Sequence, residues 1–464
     1  MTFMRHAFQT VFVCLMLSQG WLAAQKTGLV SGPMLGHVDH VEATIWVQTH
    51  DTAEVVVKYE RQGEARQESR VFHATQETYF TAHVLLTDLA DGATYSYTVW
   101  VNGKKAAGPF GFTTQKLWKW RTPPPEIRFA IGSCNFVNDE TFDRPGRPYG
   151  ARHDIFNTIA DQKPDFMIWL GDNVYFREGD FNSETRLNYR HRRDRALPEM
   201  QRLLAATAHY AIWDDHDYGP NDSDRSYPYK DAALKLFKLY YANPHWGMPD
   251  TKGIFGKVSW ADCDFFLMDC RYHRAPNRLK DPHKPYYGKA QLQWLKDQLS
   301  RSRANFKFIV NGNQMINTYC RHEAYAGFSS EYHDFINWLD GSEIPGVVIL
   351  SGDRHYTELL RRQRAKNYPL YEFTSSPLTS GLISDMGSEA DNPMRVPGTL
   401  LTEERNFGLI EVTGNDRRKR TLTLKAVDAD GKVRWEHTIE SAELRKPRPK
   451  PNKPKFPAKD KKKK

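Results

Sequence analysis

Asp165-Phe166-Met167-Ile168-Trp169-Leu170-Gly171-Asp172-Asn173-Val174-Tyr175 is an apolar, strand-like run that ends in metal-capable side chains. Four other segments are built alike: Arg128–Cys134, Tyr210–His216, Phe306–Gln314 and Val347–His355. Short apolar runs closed by Gly, Asp and Asn read as buried strands. In an open α/β sheet, side chains just past the carboxyl ends of neighbouring strands converge on one crevice. Thiol, carboxylate, phenol and imidazole gathered there favour a metal site.

From about Ile127 onward, strands alternate with helical stretches, which argues for α/β layering. Ser183–Ala206 is a long helical stretch that Pro198 should break or kink. Asp231–Ala242 and Lys289–Arg303 have amphipathic spacing. Arg405–Ile439 returns to alternating β and is expected to close one edge of the sheet. Upstream, residues 27–115 read as a small all-β domain, with Ala43, Ile45 and Val47 on one face of a strand. The stretch Leu89-Ala90-Asp91-Gly92-Ala93-Thr94-Tyr95 resembles fibronectin III-like sandwiches, in which a tyrosine, here Tyr95, makes a corner hydrogen bond. Ala90 stands where proline is usual in that signature. Lys116–Pro125 contains two Trp and three consecutive Pro and reads as a linker packed against a neighbour.

The two termini differ in kind from this body. Residues 1–24 carry Arg5 and His6, then the apolar run Val11–Leu17, then Ala23 and Ala24. That is the layout of a secretory signal peptide, and the run is too short to span a bilayer. The chain is therefore expected to be exported, to a periplasm or beyond the cell. Four cysteines follow the signal, and the strand-like spacing of Cys263 and Cys270 argues against a bond between them. The formal net charge is +9, but Arg445–Lys464 holds eleven Lys or Arg and one Asp. This tail accounts for the whole excess, and the remaining body, near neutral, gives no electrostatic footprint for nucleic acid. With five prolines and almost no apolar residues, residues 441–464 are expected to form an extended basic arm. Such an arm suits either solubility or contact with an anionic cell-envelope surface.

The chemistry is read ligand by ligand. Asp172 has two carboxylate oxygens and can bridge two cations, and Tyr175 lies within reach of the same ion. A phenolate beside a thiolate, a carboxylate and an imidazole favours Fe³⁺, and Cys134 and His355 complete that set. Asp353 and His355 share a side if the backbone there is extended. Arg354 between them would then point away. Asp214, Asp215 and Asp217 with Asp353 offer an all-oxygen site for Ca²⁺, Mg²⁺ or Mn²⁺. His216 is left to protonate, or hydrogen-bond to, a leaving oxygen. The arginines Arg186, Arg190, Arg192, Arg193 and Arg195 spread around a helix and read as a solvated face with a few ion pairs.

Six motifs together resemble PhoD-like alkaline phosphatases of the metallophosphatase superfamily over about Thr27 to Ile439. They are Ile131-Gly132-Ser133-Cys134-Asn135, Gly171-Asp172-Asn173-Val174-Tyr175, Trp213-Asp214-Asp215-His216-Asp217, Met268-Asp269-Cys270-Arg271, Ser351-Gly352-Asp353-Arg354-His355 and Phe373-Thr374-Ser375-Ser376-Pro377. The tyrosine three residues after a Gly-Asp is shared with purple acid phosphatases, which also carry a fibronectin-like domain ahead of the catalytic one. The resemblance implies an α/β catalytic domain over 126–440, built as a four-layer α-β-β-α sandwich. It implies Cys134, Asp172, Tyr175 and His355 around Fe³⁺. Asp172, Asp215 and Asp353 would hold a divalent ion, Ca²⁺ in first place, with His216 catalytic. Asp214 competes with Asp215 for that role, Asn221 can add a ligand, and Gln314 stands near where many relatives place a histidine. The implied reaction is hydrolysis of phosphate monoesters or diesters by a hydroxide bridging two metals, with no obligate protein partner. The competing reading is an envelope-binding protein whose sandwich and basic tail are adhesive parts.

Overall fold

The computed structural model describes residues 28–320 and 322–447. The expected signal peptide and most of the basic tail lie outside the described residues. Strands β1 (Leu29–Val38), β2 (Ala43–Thr49), β3 (Ala53–Arg61), β4 (Gln67–Glu68), β5 (Phe72–Ala74), β6 (Thr81–Leu86), β7 (Thr94–Val101) and β8 (Lys104–Thr113) make the N-terminal part all-β. They form a three-stranded sheet, β1-β2-β6, and a sheet in the order β4-β3-β7-β8 with β5 also on β3. On β7 the alternation buries Tyr95, Tyr97, Val99 and Val101. The Ala90 N–H donates to the Tyr95 hydroxyl at 2.8 Å, the corner bond that the sequence signature led us to expect.

The remainder holds two mixed six-stranded sheets. The first contains β9 (Ile127–Gly132), β10 (Phe166–Leu170) and β11 (Ala208–Ile212). The second is built on β12 (Gly256–Trp260), β13 (Cys263–Leu267), β14 (Phe306–Asn311), β15 (Val347–Ser351), β16 (Glu358–Arg362) and β17 (Leu370–Thr374). The first sheet is completed by β18 (Asn406–Thr413), β19 (Thr421–Asp428) and β20 (Val433–Glu440). Their orders are β11-β10-β9-β18-β19-β20 and β12-β13-β14-β15-β17-β16. The last three strands thus fill half of the first sheet, and β20 forms its edge.

Strand alternation decides how the sheets pack. Phe129, Phe166, Phe265 and Phe308 face one another between the sheets, with Phe129–Phe166 centroids at 4.9 Å and Phe265–Phe308 at 4.9 Å. Truncating one such buried Phe to Ala costs about 3–5 kcal/mol. The intervening residues of the second sheet, Ile309 and Ile349, belong to a separate cluster with Leu295 of the helix Lys289–Arg301 and Phe335 of the helix Ser329–Gly341. On the other outer face, Trp169 meets Phe156 of the short helix Ile155–Asp161 at 5.9 Å.

The N-terminal sheets are joined to the rest by buried contacts. Tyr97 donates to the Ala205 carbonyl at 2.7 Å, Ser31 to the Arg195 carbonyl at 2.8 Å, and Gln48 to the Tyr240 hydroxyl at 2.8 Å. One apolar cluster runs through both parts. Two expectations need correction. Trp120 does not pack against a neighbour: it is 91% exposed. The arginine-rich helix, Glu184–Arg195, is not a solvated face. Arg190 is fully buried, with Asp180 at 3.0 Å and Asp139 at 3.1 Å, and Arg195 lies over the Tyr241 ring at 4.3 Å. The acids that draw these side chains inward come from the loops around Asp139, 51 residues from Arg190, and Asp180, ten residues from it. The helix ends at Arg195 and the next begins with Pro198 as its first residue, as expected.

Candidate metal centre

Parallel β9, β10 and β11 deliver Cys134, Asp172 and Asp214–His216 to one end of the first sheet. Parallel β14 and β15 deliver Asn313 and Asp353–His355 to the same end of the second. The tails are sewn together by backbone bonds. Asn135 N–H donates to the Asp172 carbonyl at 2.8 Å, Gly352 N–H to Gly312 at 2.8 Å, and Ser380 N–H to Cys134 at 3.1 Å. Four site residues sit in the left-handed backbone region: Cys134 (φ 60), Asp172 (φ 52), Asp353 (φ 70) and His355 (φ 59). L-residues avoid that region, and strain of this kind concentrates at functional sites. The extended geometry expected at Asp353 and His355 is therefore absent, because β15 ends at Ser351 and the chain turns. Both nonetheless border the same cavity. Arg354 does not point away as expected: it lines the cavity too, 3.8 Å from Asp353, with its guanidinium also paired to Glu389.

One half of the site is a compact cluster. The Asp172 carboxylate accepts from the Tyr175 hydroxyl at 3.1 Å and from Cys134 Sγ at 3.6 Å, and the Ser376 hydroxyl donates to Cys134 Sγ at 3.2 Å. His355 Nδ1 lies 2.6 Å from the Gly381 carbonyl. The carbonyl can only accept, so Nδ1 carries a proton and Nε2 is the nitrogen that a metal would take in place of its proton. Burial alone would raise the Cys134 thiol, but the charge and hydrogen bond of His355 outweigh it and the net shift is downward. Burial would lower His355, yet the facing Cys134 raises it to about 9. Burial and the Asp172 charge push Tyr175 well up. A phenolate there requires a strong Lewis acid.

The other half is carboxylate-rich and opens to a cavity of about 1090 Å³. It contains the adjacent pair Asp214 and Asp215, which the structure separates. Asp214 is committed: Arg271 Nε donates to it at 2.6 Å, Asn313 Nδ2 at 2.8 Å and Cys270 Sγ at 3.1 Å. A Cβ on Gly171 or on Gly312 would lie 2.7 Å from an Asp214 side-chain atom, so two backbones close over it. Asp215 Oδ2 accepts from the Asp222 N–H at 2.8 Å, but its buried Oδ1 has no hydrogen-bond donor. Arg271 stands 3.7 Å from that oxygen. Burial would raise Asp215, but His216 and Arg271 hold it below the usual carboxylate range. Asp353 keeps a side chain 20% exposed to the cavity, and burial raises it to about 7.

His216 stacks on Tyr175 with centroids 4.2 Å apart, and its backbone N–H donates to Asp172 at 3.2 Å. Atoms of Asp172, Asp215 and His216 lie within 4.8 Å of one another, as do those of Asp214, Asp215 and Glu323. Burial lowers the imidazole, which Asp215 partly offsets. Asn221 lines the cavity beside it. Gln314 does not reach the site: its amide donates to Glu358 at 2.8 Å and Thr374 at 2.9 Å. Glu323 was missed in sequence because no strand or motif precedes it. It lines the cavity and binds Arg271, Arg274 (2.5 Å) and Asn277 (2.8 Å). The Met268–Arg271 motif gave a hint of Arg271 but not of its partners.

The donors present fit bound metal. Cys134, Tyr175, His355 and Asp172 offer mixed soft and hard ligands, whereas Asp215 and Asp353 offer oxygen to a hard cation. The orphaned Asp215 oxygen is the kind of buried atom that a cation satisfies.

The fold is shared with solved phosphatase structures. The chain superposes on a purple acid phosphatase, PPD1 from yellow lupin (Lupinus luteus) seeds, with TM-score 0.61 and 11% identity over 88% of this chain and 74% of that one. It superposes on the structure of PhoD with TM-score 0.71 and 16% identity, over 90% of this chain and 92% of that one. Residues 129–424 match the PhoD-like phosphatase family, and the chain belongs to it. Residues 26–116 match a domain of unknown function, DUF7800. Alkaline phosphatase D of Bacillus subtilis (strain 168) is 21% identical over 281 residues, 50% of this chain and 46% of that protein. The chain thus aligns with about half the length of that curated relative.

Proposed function

We propose that this chain is an exported hydrolase of phosphate monoesters or diesters that works with two metal ions. Cys134, Asp172, Tyr175 and His355 would hold Fe³⁺, and Asp172, Asp215 and Asp353 a divalent ion, Ca²⁺ in first place. We further infer the layer order α-β-β-α, from the helices packed on the outer face of each sheet. Bound metals supply charge neutralisation at phosphorus and an activated water. The chain's own residues do the rest. Asp172, between the two halves, fixes their spacing. His216, at the cavity edge and braced by Tyr175, protonates or hydrogen-bonds to the leaving oxygen. Arg271 balances Asp214 and Glu323, which frees Asp215 to face the cavity.

The carrying observation is the contrast between Asp214, whose oxygens are both bonded, and Asp215, whose buried Oδ1 has no donor. Metal analysis of the purified protein with its visible spectrum tests the reading. A tyrosinate–Fe³⁺ band should colour it, alongside turnover of aryl phosphates or bis-aryl phosphodiesters. A colourless, zinc-only protein would overturn the first site.

A further inference from the structure

A groove of about 1140 Å³ lies between the turn at Trp118–Arg121, the segment Arg301–Arg303 and Arg417. Trp118–Arg121 precede β9, and Arg301–Arg303 precede β14. Arg417 sits in the turn after β18, which runs antiparallel to β9 with Val412 opposite Ile127. The groove therefore sits at the amino ends of the strands whose carboxyl ends carry the site. Five or six residues of strand separate the two, roughly 17–20 Å.

Its charge is one-sided. Lys119, Arg121, Arg301, Arg303 and Arg417 line it, and none pairs with a carboxylate among the described residues. The two lining acids are already taken: Asp262 by Arg420 at 3.1 Å and Asp264 by Lys257 at 3.0 Å. Trp120 stands out from the rim, 91% exposed. It is held there by a turn in which the Trp118 carbonyl accepts from the Arg121 and Thr122 N–H groups, both at 2.9 Å. The C-terminal chain leaves from the same end. Gly346, just before β15, donates to the Leu444 carbonyl at 2.8 Å. Residues 448–464, which follow, contain nine Lys or Arg and one Asp. A basic tail does not neutralise a basic groove, so both are suited to an external anion.

We propose that this end of the molecule docks on an anionic lipid bilayer, with Trp120 among the headgroups and the groove cations on lipid phosphates. A lone exposed indole between Lys119 and Arg121 has the amphipathic character of an interfacial anchor. Polybasic segments add attraction to anionic headgroups. Single-stranded nucleic acid is less well matched, because it stacks on several free aromatic faces. Here Trp118 already carries Arg417 at 5.8 Å, which leaves Trp120 alone. Docked this way, the metal-centre cavity faces water.

The test is co-sedimentation of the full chain with vesicles of phosphatidylcholine, alone or with about 30% phosphatidylglycerol. Binding is expected with the anionic vesicles only, falling more than about tenfold at 0.5 M salt-level screening. Trp120→Ala and the pair Arg301→Glu/Arg303→Glu should each weaken it by about tenfold. Turnover of a soluble aryl phosphate should stay unchanged. A chain ending at Pro447 should bind more weakly yet keep its sensitivity to Trp120→Ala. Three results would overturn the proposal. One is equal binding to uncharged vesicles. Another is binding abolished by tail removal but indifferent to Trp120→Ala. The third is a single-stranded oligonucleotide that displaces the protein from vesicles and itself binds more tightly.

Discussion

The two halves of the candidate metal centre solve one electrostatic problem in opposite ways. Around Cys134, Tyr175 and His355 the donors compensate one another: imidazole faces thiol, and phenol meets carboxylate. Around Asp214 and Asp215 the acids are balanced from behind by Arg271 and Arg274, with Glu323 and Asn313 between, while Asp353 has Arg354 at 3.8 Å. A self-compensating cluster tolerates burial without outside help. A carboxylate cluster needs imported cations, and the chain supplies two fully buried arginines for it.

Substitutions separate the halves. Asp172→Ala removes the shared ligand, so both metals and turnover should be lost, with kcat/KM down by more than about 10³. An Asp172→Ala protein that keeps its metal and its rate would sink the binuclear scheme. Arg271→Met strips the rear charge from the carboxylate half. It should cost about 3–5 kcal/mol in urea unfolding, because Asp214 and Glu323 are left buried and unpaired. A loss below about 1 kcal/mol would mean that those acids are protonated rather than paired. Cys134→Ser should bleach the visible band and lower iron content while sparing the divalent ion. Equal loss of both metals would show that the halves are not separable.

Histidines buried away from any anion give the control for His355. His209 accepts from Trp169 Nε1 at 3.0 Å, and His191 stacks on Tyr240 at 4.9 Å with both ring nitrogens unpartnered. Burial lowers each to about 3. The unfolded chain binds their protons below its ordinary value near 6.5, and the folded chain does not. Stability is therefore complete above that pH and is lost as pH falls toward 3, by about 2 kcal/mol per histidine at pH 5. His191→Phe should flatten the acid limb of a urea-midpoint titration by that amount, and an unchanged slope would refute the assignment. Gln314→Leu should have the smallest effect on the centre. Metal content and turnover should hold, with about 1–2 kcal/mol of stability lost as its amide partners go unmet. Loss of the divalent ion in this variant would make Gln314 a ligand after all.

The strand tails were legible because apolar runs and their polar ends are local, and parallel pairing then brings them together. The tyrosine corner was legible for the same reason. Choosing between Asp214 and Asp215 was not, since the choice depends on Arg271, 57 residues from Asp214. Glu323 lies in a loop with no periodic signal, and its importance comes from partners distant in sequence, Arg271 and Arg274 foremost. The buried arginine helix misled because composition gives charge but not the acids that meet it. Trp120 misled in the reverse sense, as an apolar side chain that the fold leaves out.

Cys134, Asp172, Asp353 and His355 all hold left-handed backbone. Each is a point of local frustration that the surrounding hydrogen bonds must overrule. Glycine at any of them would relax the turn and delete the donor together. Selection for a more stable fold and selection for the centre therefore pull against each other at the same four positions. A lineage released from the second pressure should drift toward glycine or asparagine there before its core changes.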